Sequence, residues 1–147
     1  MVRTLTSKWL TFKAQGHSNV RATHRTTLEI TKESHLTPRG DCIIGVSSEY
    51  SVADLPEWFK KAAQKEDSMI VMIICSDNIC DSVIGRGHPK LSFDDPLRIV
   101  VRKSSYVDSK TIMIRANKSA RDLRRDLIRK LQSGEVLIVY LTVLNTP

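Results

Sequence analysis

The stretch GHSNVRATHRTTLEITKESHLTPRGDCIIGVS, residues 16–47, decides the fold because it contains two strand patterns separated by an irregular loop. From residue 22 to residue 32 the side chains alternate between two faces, which predicts a strand. One face carries Ala22, His24, Thr26, Leu28 and Ile30. The run Cys42-Ile43-Ile44-Gly45-Val46 is apolar on both faces, which predicts a central strand that is covered on both sides.

A tight turn is predicted between these two strands. In Thr37-Pro38-Arg39-Gly40 the proline fixes φ at the second position and the glycine suits the fourth, as is typical of a type I turn. The turn follows His35 and delivers Asp41 to the start of the next strand.

Four polar residues of this stretch form the candidate catalytic site. In the functional interpretation, His24, His35, Arg39 and Asp41 converge at the mouth of a β-rich core. There they offer a general base, a carboxylate and an anion-binding fork. In the structural alternative, His24 is hydrogen-bonded in the core, His35 is solvated, and Arg39 pairs with Asp41 to hold the turn. The sequence leaves both interpretations open.

The same stretch resembles the opening of a known family. The runs G-H-x-N-V, A-T-H-x-T-T-L-E-I-T and H-L-T-P-R-G-D-C-I-I-G are similar to those of the archaeal family catalogued as domain of unknown function 371. The likeness extends more loosely through Gly87-His88-Pro89 and the helix predicted over residues 120–132. It implies a β-rich, sandwich-like domain in an archaeal cytosol, and some members carry an endonuclease label. The family has no agreed catalytic residues to carry over.

Length and composition indicate one globular domain. The 147 residues suffice for a single substantial core, so residues 1–147 are assigned to one β-rich domain. No run approaches the ~20 apolar residues that span a bilayer, and the start lacks the apolar core of a signal peptide. We therefore expect a cytoplasmic protein that does not bind membranes. In that compartment Cys42, Cys75 and Cys80 are expected to be reduced.

Positive charge is concentrated toward the C-terminal half. The chain has a formal net charge of +7, and residues 98–132 alone contain 11 Lys and Arg against 3 Asp and Glu. This asymmetry suits an anionic partner, and RNA or DNA fits better than a membrane surface because no terminal amphipathic segment presents aromatic anchors. The candidate ligand-binding residues are His17, Thr26, His88, Arg115, Arg121, Arg124 and Arg125. Solvated charge is the alternative, with Asp122 and Asp126 as helical partners.

Strand and helix patterns continue along the chain without a recognisable internal repeat. Alternating or apolar runs predict strands over residues 7–15, 68–75, 79–85, 97–103, 111–116 and 136–143. The strands at 97–103 and 111–116 are expected to pair antiparallel. Asp54 with Glu57, and Ser119 with Asp122, resemble the capping boxes of two helices, the second over residues 120–132. The predicted fold class is mainly β with two helices, as a mostly antiparallel β-sandwich or open barrel.

A metal-dependent nuclease motif is incomplete in the sequence. The adjacent acids Asp94 and Asp95 are of the type that holds Mg²⁺. A restriction-type site also needs an acid-x-Lys element, whereas Glu29-Ile30-Thr31-Lys32 is one residue too long and Asp95 precedes a proline. A divalent metal is therefore expected only if the protein is a nuclease, and no residues are predicted as its ligands.

Three function hypotheses follow, and no motif decides whether the protein is an enzyme. The first is endonuclease-like phosphodiester hydrolysis, with Asp41 as metal ligand or orienting group, a histidine as acid or base, and Arg39 stabilising the developing charge. The second is a binding module for nucleic acid or a phosphorylated ligand, without chemistry. The third is a structural or assembly subunit, for which a homodimer is one form.

Overall fold

Two four-stranded sheets form the body of the protein in the computed structural model, which describes residues 8–144. The strands are β1 (Leu10–Gln15), β2 (Thr27–Thr31), β3 (Ile43–Gly45), β4 (Met69–Ser76), β5 (Ile79–Arg86), β6 (Arg98–Arg102), β7 (Thr111–Met113) and β8 (Val136–Leu144). The helices are α1 (Glu57–Ala63) and α2 (Arg125–Gln132), and one-turn 3-10 helices occupy Val52–Asp54 and Ala120–Asp122. The predicted first strand begins at Ser7, which lies outside the described range. The same holds for the N-terminal residues on which the prediction of no signal peptide rests.

The first sheet has the order β1-β8-β4-β5 and the second has the order β3-β2-β6-β7. Every pairing in the first sheet is antiparallel, and so is the central β2·β6 pairing of the second. Backbone bridges from Gln15 to Val46 and from Arg86 to Ile114 join the edges of the two sheets. The prediction of a mainly β, mostly antiparallel fold with two helices is confirmed.

The outer pairs of the second sheet, β2·β3 and β6·β7, are parallel. The antiparallel pairing predicted for residues 97–103 and 111–116 is therefore wrong. The loop between these strands runs back along the sheet, so the short second strand starts from the same end as the first.

The core lies between the two sheets. Leu10, Phe12 and Ala14 are buried on β1, as the alternation of that strand predicts. Phe59 of α1 and Phe93 are also buried and pack edge to face, with ring centroids 6.2 Å apart. Each such side chain contributes about 1.5–3 kcal/mol through burial, so the core holds the sheets together.

The chain consists of two structurally equivalent halves, so the expectation of no internal repeat is wrong. Residues 10–76 form three strands, a 3-10 turn, a helix and a fourth strand, and residues 79–144 repeat this order. In both sheets the central pair joins a strand to its own equivalent, β4 to β8 and β2 to β6. A pseudo-two-fold axis therefore passes through the middle of each sheet.

The turns before the helices repeat in atomic detail. The Asp54 carboxylate accepts hydrogen bonds from the Ser51 backbone N–H (2.8 Å) and hydroxyl (2.9 Å). The Asp122 carboxylate accepts the same two bonds from Ser119, at 2.9 and 3.1 Å. Each aspartate also pairs with a lysine, Lys32 with Asp54 and Lys103 with Asp122. The same capping box thus occurs in both halves, Ser51 with Asp54 and Ser119 with Asp122, as predicted for the second pair. The predicted capping box of Asp54 with Glu57 is wrong, because α1 follows Pro56 without a side-chain cap.

Both α-helices begin later than the sequence predicts. Asp54 and Asp122 cap the 3-10 turns, and an extended residue, Leu55 or Leu123, ends each turn. The second predicted helix is therefore divided, and α2 begins at Arg125 instead of residue 120. A backbone hydrogen bond from the Leu55 N–H to the Val52 carbonyl closes the first turn, and one from Leu123 to Ala120 closes the second.

Left-handed backbone occurs at matching positions of the two halves. Ala22 and Phe93 both have φ of 52°, and Ser47 and Arg115 both have φ of 49°. Such values are uncommon for residues other than glycine, so the same turns are imposed twice. Because of the turn at Ala22, β2 starts only at Thr27. His24 therefore lies before the strand. The alternation had placed it on the core face of the strand, and this prediction is wrong.

The cysteines also differ from expectation. Cys75 and Cys80 are directly opposite in the β4·β5 pair, with Cα atoms 4.1 Å apart, and form a disulfide. The prediction of reduced thiols is wrong for this pair, whereas Cys42 is free. Cys75 and Cys80 face each other because of the register in which β4 pairs with β5.

Each half docks onto the helix of the other. Gly16 N–H donates to the Glu135 carbonyl and His17 N–H donates to the Leu131 carbonyl, both at 2.9 Å, beside the C-terminal end of α2. Carbonyl groups in the last turn of a helix lack intrahelical partners and are available as acceptors. The Leu131 carbonyl accepts both the His17 N–H and, at 3.0 Å, the Gly134 N–H of its own half.

The second half makes the equivalent contacts with the helix of the first half. Gly87 N–H donates to the Ser68 carbonyl at 2.8 Å, and His88 N–H donates to the Ala63 carbonyl at 3.0 Å, at the end of α1. The two halves are therefore interlocked, since each supplies backbone donors at the end of the other half's helix.

Replacing Gly16 or Gly87 by alanine should disrupt this interlocking. A Cβ at Gly16 would lie 2.2 Å from the Leu131 carbonyl oxygen, and one at Gly87 would lie 2.1 Å from that of Ala63. Because both obstacles are backbone atoms, we expect each variant to lose at least the ~1–3 kcal/mol of unfolding free energy typical of overpacking. Chemical denaturation measures the loss, with the exposed Ser18→Ala as control. An unchanged stability of Gly87→Ala would contradict the interlocking.

Candidate functional site

The His24 ring is fixed by the turn that precedes β2. Its Nδ1 atom accepts hydrogen bonds from the backbone N–H groups of Thr26 (3.2 Å) and Thr27 (3.1 Å), and the Thr27 hydroxyl lies 2.9 Å away. Because Nδ1 is an acceptor, the neutral ring carries its proton on Nε2. The half-buried His24 therefore offers an N–H donor on the side of the ring that faces away from the turn.

Backbone hydrogen bonds join His24 to two distant segments. The His24 N–H donates to the Asp41 carbonyl (3.2 Å), and the Arg121 N–H donates to the His24 carbonyl (3.1 Å). We call residues 21–25, Arg39, Asp41 and Arg121 the His24 junction. Of the four predicted catalytic residues, this junction brings the backbones of His24 and Asp41 into contact, and Arg39 belongs to it because it lies two residues before Asp41 in the chain.

Four arginines belong to the His24 junction: Arg21, Arg25, Arg39 and Arg121. Each is exposed, and none of their side chains forms a hydrogen bond or an ion pair with another residue in the range 8–144. The Arg39–Asp41 ion pair of the structural alternative is accordingly not formed within that range. These guanidinium groups are free to bind an external anion.

The second half contains an equivalent junction with different chemistry. Asp95 Oδ1 accepts the backbone N–H groups of Leu97 and Arg98, both at 2.8 Å, as His24 Nδ1 accepts those of its own turn. The Asp95 N–H donates to the Ser109 carbonyl (3.1 Å), and the Ala53 N–H donates to the Asp95 carbonyl (3.3 Å). The backbone geometry is repeated, while the residue at its centre changes from histidine to aspartate.

None of the four arginines has a basic counterpart in the Asp95 junction. Matching the two halves position by position gives the pairs Arg21 and Ser92, Arg25 and Pro96, Arg39 and Val107, and Arg121 and Ala53. The same backbone therefore forms without positive charge at these positions. The turn does not require the arginines.

His35 lies apart from the His24 junction, at one end of an ionic network. Its side chain is 78% exposed, and its Nε2 atom is 3.7 Å from Glu33 Oε2. Arg98 continues the network, with Nη2 3.4 Å from Glu33 Oε1 and Nε 3.9 Å from Glu29 Oε2. The structure does not bring His35 into contact with His24 or Asp41 through any hydrogen bond of the described residues.

Two buried ionisable groups lie near this network. Burial of the Glu29 carboxyl raises its pKa, and this effect exceeds the opposite influence of Arg98. Burial also raises the pKa of the Cys42 thiol to about 11, with the Glu29 charge adding to the effect. Cys42 therefore stays a thiol near neutral pH, which argues against a role as nucleophile.

His17 and His88 have turn-forming roles at equivalent positions. His17 Nδ1 accepts the Asn19 N–H at 2.9 Å, and His88 Nδ1 accepts the Lys90 N–H at 3.0 Å. Their backbones contact the ends of α2 and α1, as described above. These contacts explain both histidines without a ligand.

Two of the arginines predicted to bind ligand are engaged in ion pairs. Arg115 pairs with Asp67, and Arg124 Nη2 lies 2.7 Å from Asp126 Oδ2. Their positive charge is therefore partly neutralised within the protein.

Arg125 has a structural role beside the His24 junction. Its guanidinium donates to the carbonyls of Ala22 (2.9 Å) and Ala120 (2.8 Å) and so ties the start of the junction to α2. Of the other predicted binding residues, Thr26 and Arg121 are exposed at or beside the junction. Sequence reasoning missed Arg21 and Arg25, and the signal that identifies them is their position on either side of His24.

Residues 8–144 contain neither a cluster of metal-binding side chains nor a membrane-spanning helix. No group of three or more His, Cys, Asp or Glu side chains there is arranged to hold a metal ion. No helix in the same range is long and apolar enough to cross a membrane.

The fold and site define a pseudo-two-fold β protein that carries one basic junction and one acidic counterpart. The chain belongs to the family described as Domain of unknown function (DUF371), whose model matches residues 12–144. It is similar to the "Uncharacterized protein MJ0206" of Methanocaldococcus jannaschii, with 47% identity over 131 residues, which cover 89% of this chain and 96% of that protein. The resemblance carried by residues 16–47 is confirmed.

Glu29→Gln should change stability in a pH-dependent way. Folding raises the Glu29 pKa above its ordinary value of 4.5, so the stability contributed by the neutral carboxyl is present below that pH and is lost as pH rises through the folded-state pKa. We expect the glutamine variant to be more stable than wild type at neutral pH and equal to it near about pH 4. Thermal melts across this range measure the difference, with the exposed Glu66→Gln as control. A less stable glutamine variant at neutral pH would mean that the pairing with Arg98 outweighs the cost of burial.

Proposed function

We propose that the protein binds the phosphate backbone of a nucleic acid at the His24 junction. The observation that supports this most strongly is the contrast between the two junctions. One carries four exposed arginines, and the other has none at the matching positions although its backbone is the same. Because structure alone does not require these arginines, binding of an anion is the simplest reason for them.

The chemistry of the arginines suits phosphate. A guanidinium group presents a planar fork of N–H donors that matches two phosphate oxygens. Since these side chains have no partner among the described residues, binding breaks no internal ion pair. The net charge of +7 adds a long-range attraction for polyanions.

His24 and Thr26 add neutral donors to the same surface. The Nε2–H group of His24 can donate to a phosphate oxygen while Nδ1 stays bonded to the turn. Aromatic residues make up only 5% of the chain, so base stacking contributes little and backbone contacts dominate. We therefore expect affinity that depends weakly on nucleotide sequence.

Removal of one junction arginine should weaken binding to all sequences alike. We expect Arg25→Ala and Arg121→Ala each to lower the affinity for fluorescein-labelled RNA and DNA oligonucleotides. Each variant should also reduce the slope of log K against log salt by about 1, because one phosphate contact is lost. Fluorescence anisotropy between about 50 and about 200 mM salt measures both quantities.

Arg129→Ala is the matched control for this experiment. Arg129 is an exposed arginine on α2 outside the junction, so its removal changes net charge equally. Affinity that does not depend on salt, or an equal loss in Arg129→Ala, would contradict binding at the junction.

Phosphodiester hydrolysis is a second candidate function at the same place. It is favoured by the backbone contact between His24 and Asp41. In this reaction the Nε2–H group of His24 donates a hydrogen bond to a phosphate oxygen, Asp41 orients the attacking water, and Arg39 stabilises the charge that develops on the phosphate. No metal ligands are assigned, so the assay tests whether cleavage depends on a divalent metal.

His24→Asn tests hydrolysis without removing the turn. Asparagine can accept the two backbone N–H groups as Asp95 Oδ1 does in the other half, but it lacks the imidazole Nε2–H. We expect cleavage of RNA or DNA, assayed with Mg²⁺, with Mn²⁺ and with chelator, to fall by about 10²–10³-fold because one hydrogen-bond donor to the phosphate is lost. Asp41→Ala should also cleave more slowly.

The controls separate an enzyme from a binding module. Equal cleavage by wild type, His24→Asn and Asp41→Ala would indicate a contaminating nuclease and reject the catalytic proposal. Binding without cleavage by wild type would leave the non-catalytic module as the function of the His24 junction.

A further inference from the structure

An apolar surface occupies the centre of the outer side of the first sheet. The outward-facing residues of its two central strands that are exposed or partly exposed are Met69, Val71 and Ile73 on β4 and Val136, Ile138, Tyr140 and Leu144 on β8. Trp9, just before β1, and Ile84 on β5 extend this surface to both sides and are 46% and 37% exposed. We call this surface the first-sheet face.

The first-sheet face is uncovered within residues 8–144. Ile70, Met72 and Ile74, on the opposite side of β4, are fully buried in the core, whereas Val71 and Ile73 remain partly exposed. A sheet normally alternates buried apolar and solvated polar residues when one side faces water. Here both sides of β4 are apolar, as in a strand that is covered on both faces.

Charge is absent from the centre of the face. None of the outward positions on β4 and β8 is charged, although 27% of the residues in the chain are. Trp9, Ile73 and Tyr140 line a shallow apolar cavity of about 270 Å³ on this surface. An apolar depression without polar groups suits the side chains of another protein surface better than a polar ligand.

The size of the face is compatible with a stable protein contact. Four strands spaced about 4.8 Å apart and about eight residues long span a footprint of roughly 500 Å². The apolar residues occupy its centre, and the polar side chains of Thr11, Lys13, Gln15, Ser82 and Arg86 lie on the outer strands β1 and β5. An apolar centre with a polar rim is typical of a protein interface, and the footprint is of the same order as the ~800 Å² that each partner buries in a standard interface.

We propose that a second copy of this chain covers the first-sheet face, giving a homodimer with an isologous interface. Two chains of charge +7 repel each other unless the contact avoids cations, and the two central strands of the first-sheet face present no charged side chain. A nucleic acid is unsuited to the face because its centre has no cation to meet phosphate. The His24 junction belongs to the loops of the second sheet, so dimerisation leaves it exposed.

Sedimentation equilibrium tests the dimer directly. We expect wild type to sediment at twice the chain mass of 16.6 kDa. Trp9→Glu and Ile73→Glu place a carboxylate on the face and should shift the protein to the monomer. Leu97→Glu is the matched control, because Leu97 is a similarly exposed apolar residue (43%) before β6 in the second sheet, and this variant should stay dimeric. Circular dichroism establishes that each variant is folded.

A second measurement does not depend on charged variants. In a Trp58→Phe background Trp9 is the remaining tryptophan, and its emission should shift to the red on dilution as the dimer dissociates and exposes the ring. A monomeric wild type, a dimer that survives Ile73→Glu, or a dissociation that leaves Trp9 emission unchanged would each overturn the proposal. Dissociation by Leu97→Glu would likewise place the contact elsewhere.

Discussion

The exchange of backbone hydrogen bonds between the two halves is the constraint on which the fold depends. Gly16 and His17 satisfy the carbonyls beside the end of α2, and Gly87 and His88 satisfy those at the end of α1. Each half therefore contributes backbone donors at the helix end of the other. Glycine is needed at both places because a Cβ would collide with a carbonyl oxygen of the opposite helix. The two halves are related by a two-fold axis, so the central strand pair of each sheet joins a strand to its equivalent in the other half. Such a pair is antiparallel, as observed for β2·β6 and β4·β8.

The duplication also separates what the scaffold needs from what function needs. Glu29 pairs across the second sheet with Val100, its own equivalent, and both positions are buried. The valine shows that this environment accepts an apolar side chain, so the carboxylate of Glu29 is an addition with an energetic cost, which its raised pKa reflects. The same reasoning applies to His24 and the junction arginines. A feature present in only one of two equivalent places is a better guide to function than a feature present in both.

Sequence patterns predict the elements of this fold better than their relation to each other. The alternation of β1 and the two amphipathic helices are readable, because burial imposes a period on the side chains. The repeat is hidden because chemically different side chains occupy equivalent positions, and the nitrogen of His24 and the oxygen of Asp95 both accept two backbone N–H groups. The left-handed turns at Ala22 and Phe93 carry no glycine to mark them. The parallel pairing of β6 with β7 and the Cys75–Cys80 disulfide depend on strand register, which composition does not encode.

The distribution of charge illustrates the same limit at the candidate site. Residues 98–132 contain 11 of the 23 Lys and Arg residues. Many of these cations are already paired, including Arg98, Arg102, Lys103, Lys118, Arg124 and Lys130. Pairing reduces the charge that a polyanion meets, because the carboxylate partner remains beside it. The arginines that stay unpaired among the described residues at the His24 junction come mainly from residues 21–39, where the net charge of the sequence is less conspicuous. The charge available for recognition is therefore set by which cations the fold leaves without a carboxylate, and this chain places a group of them around one histidine.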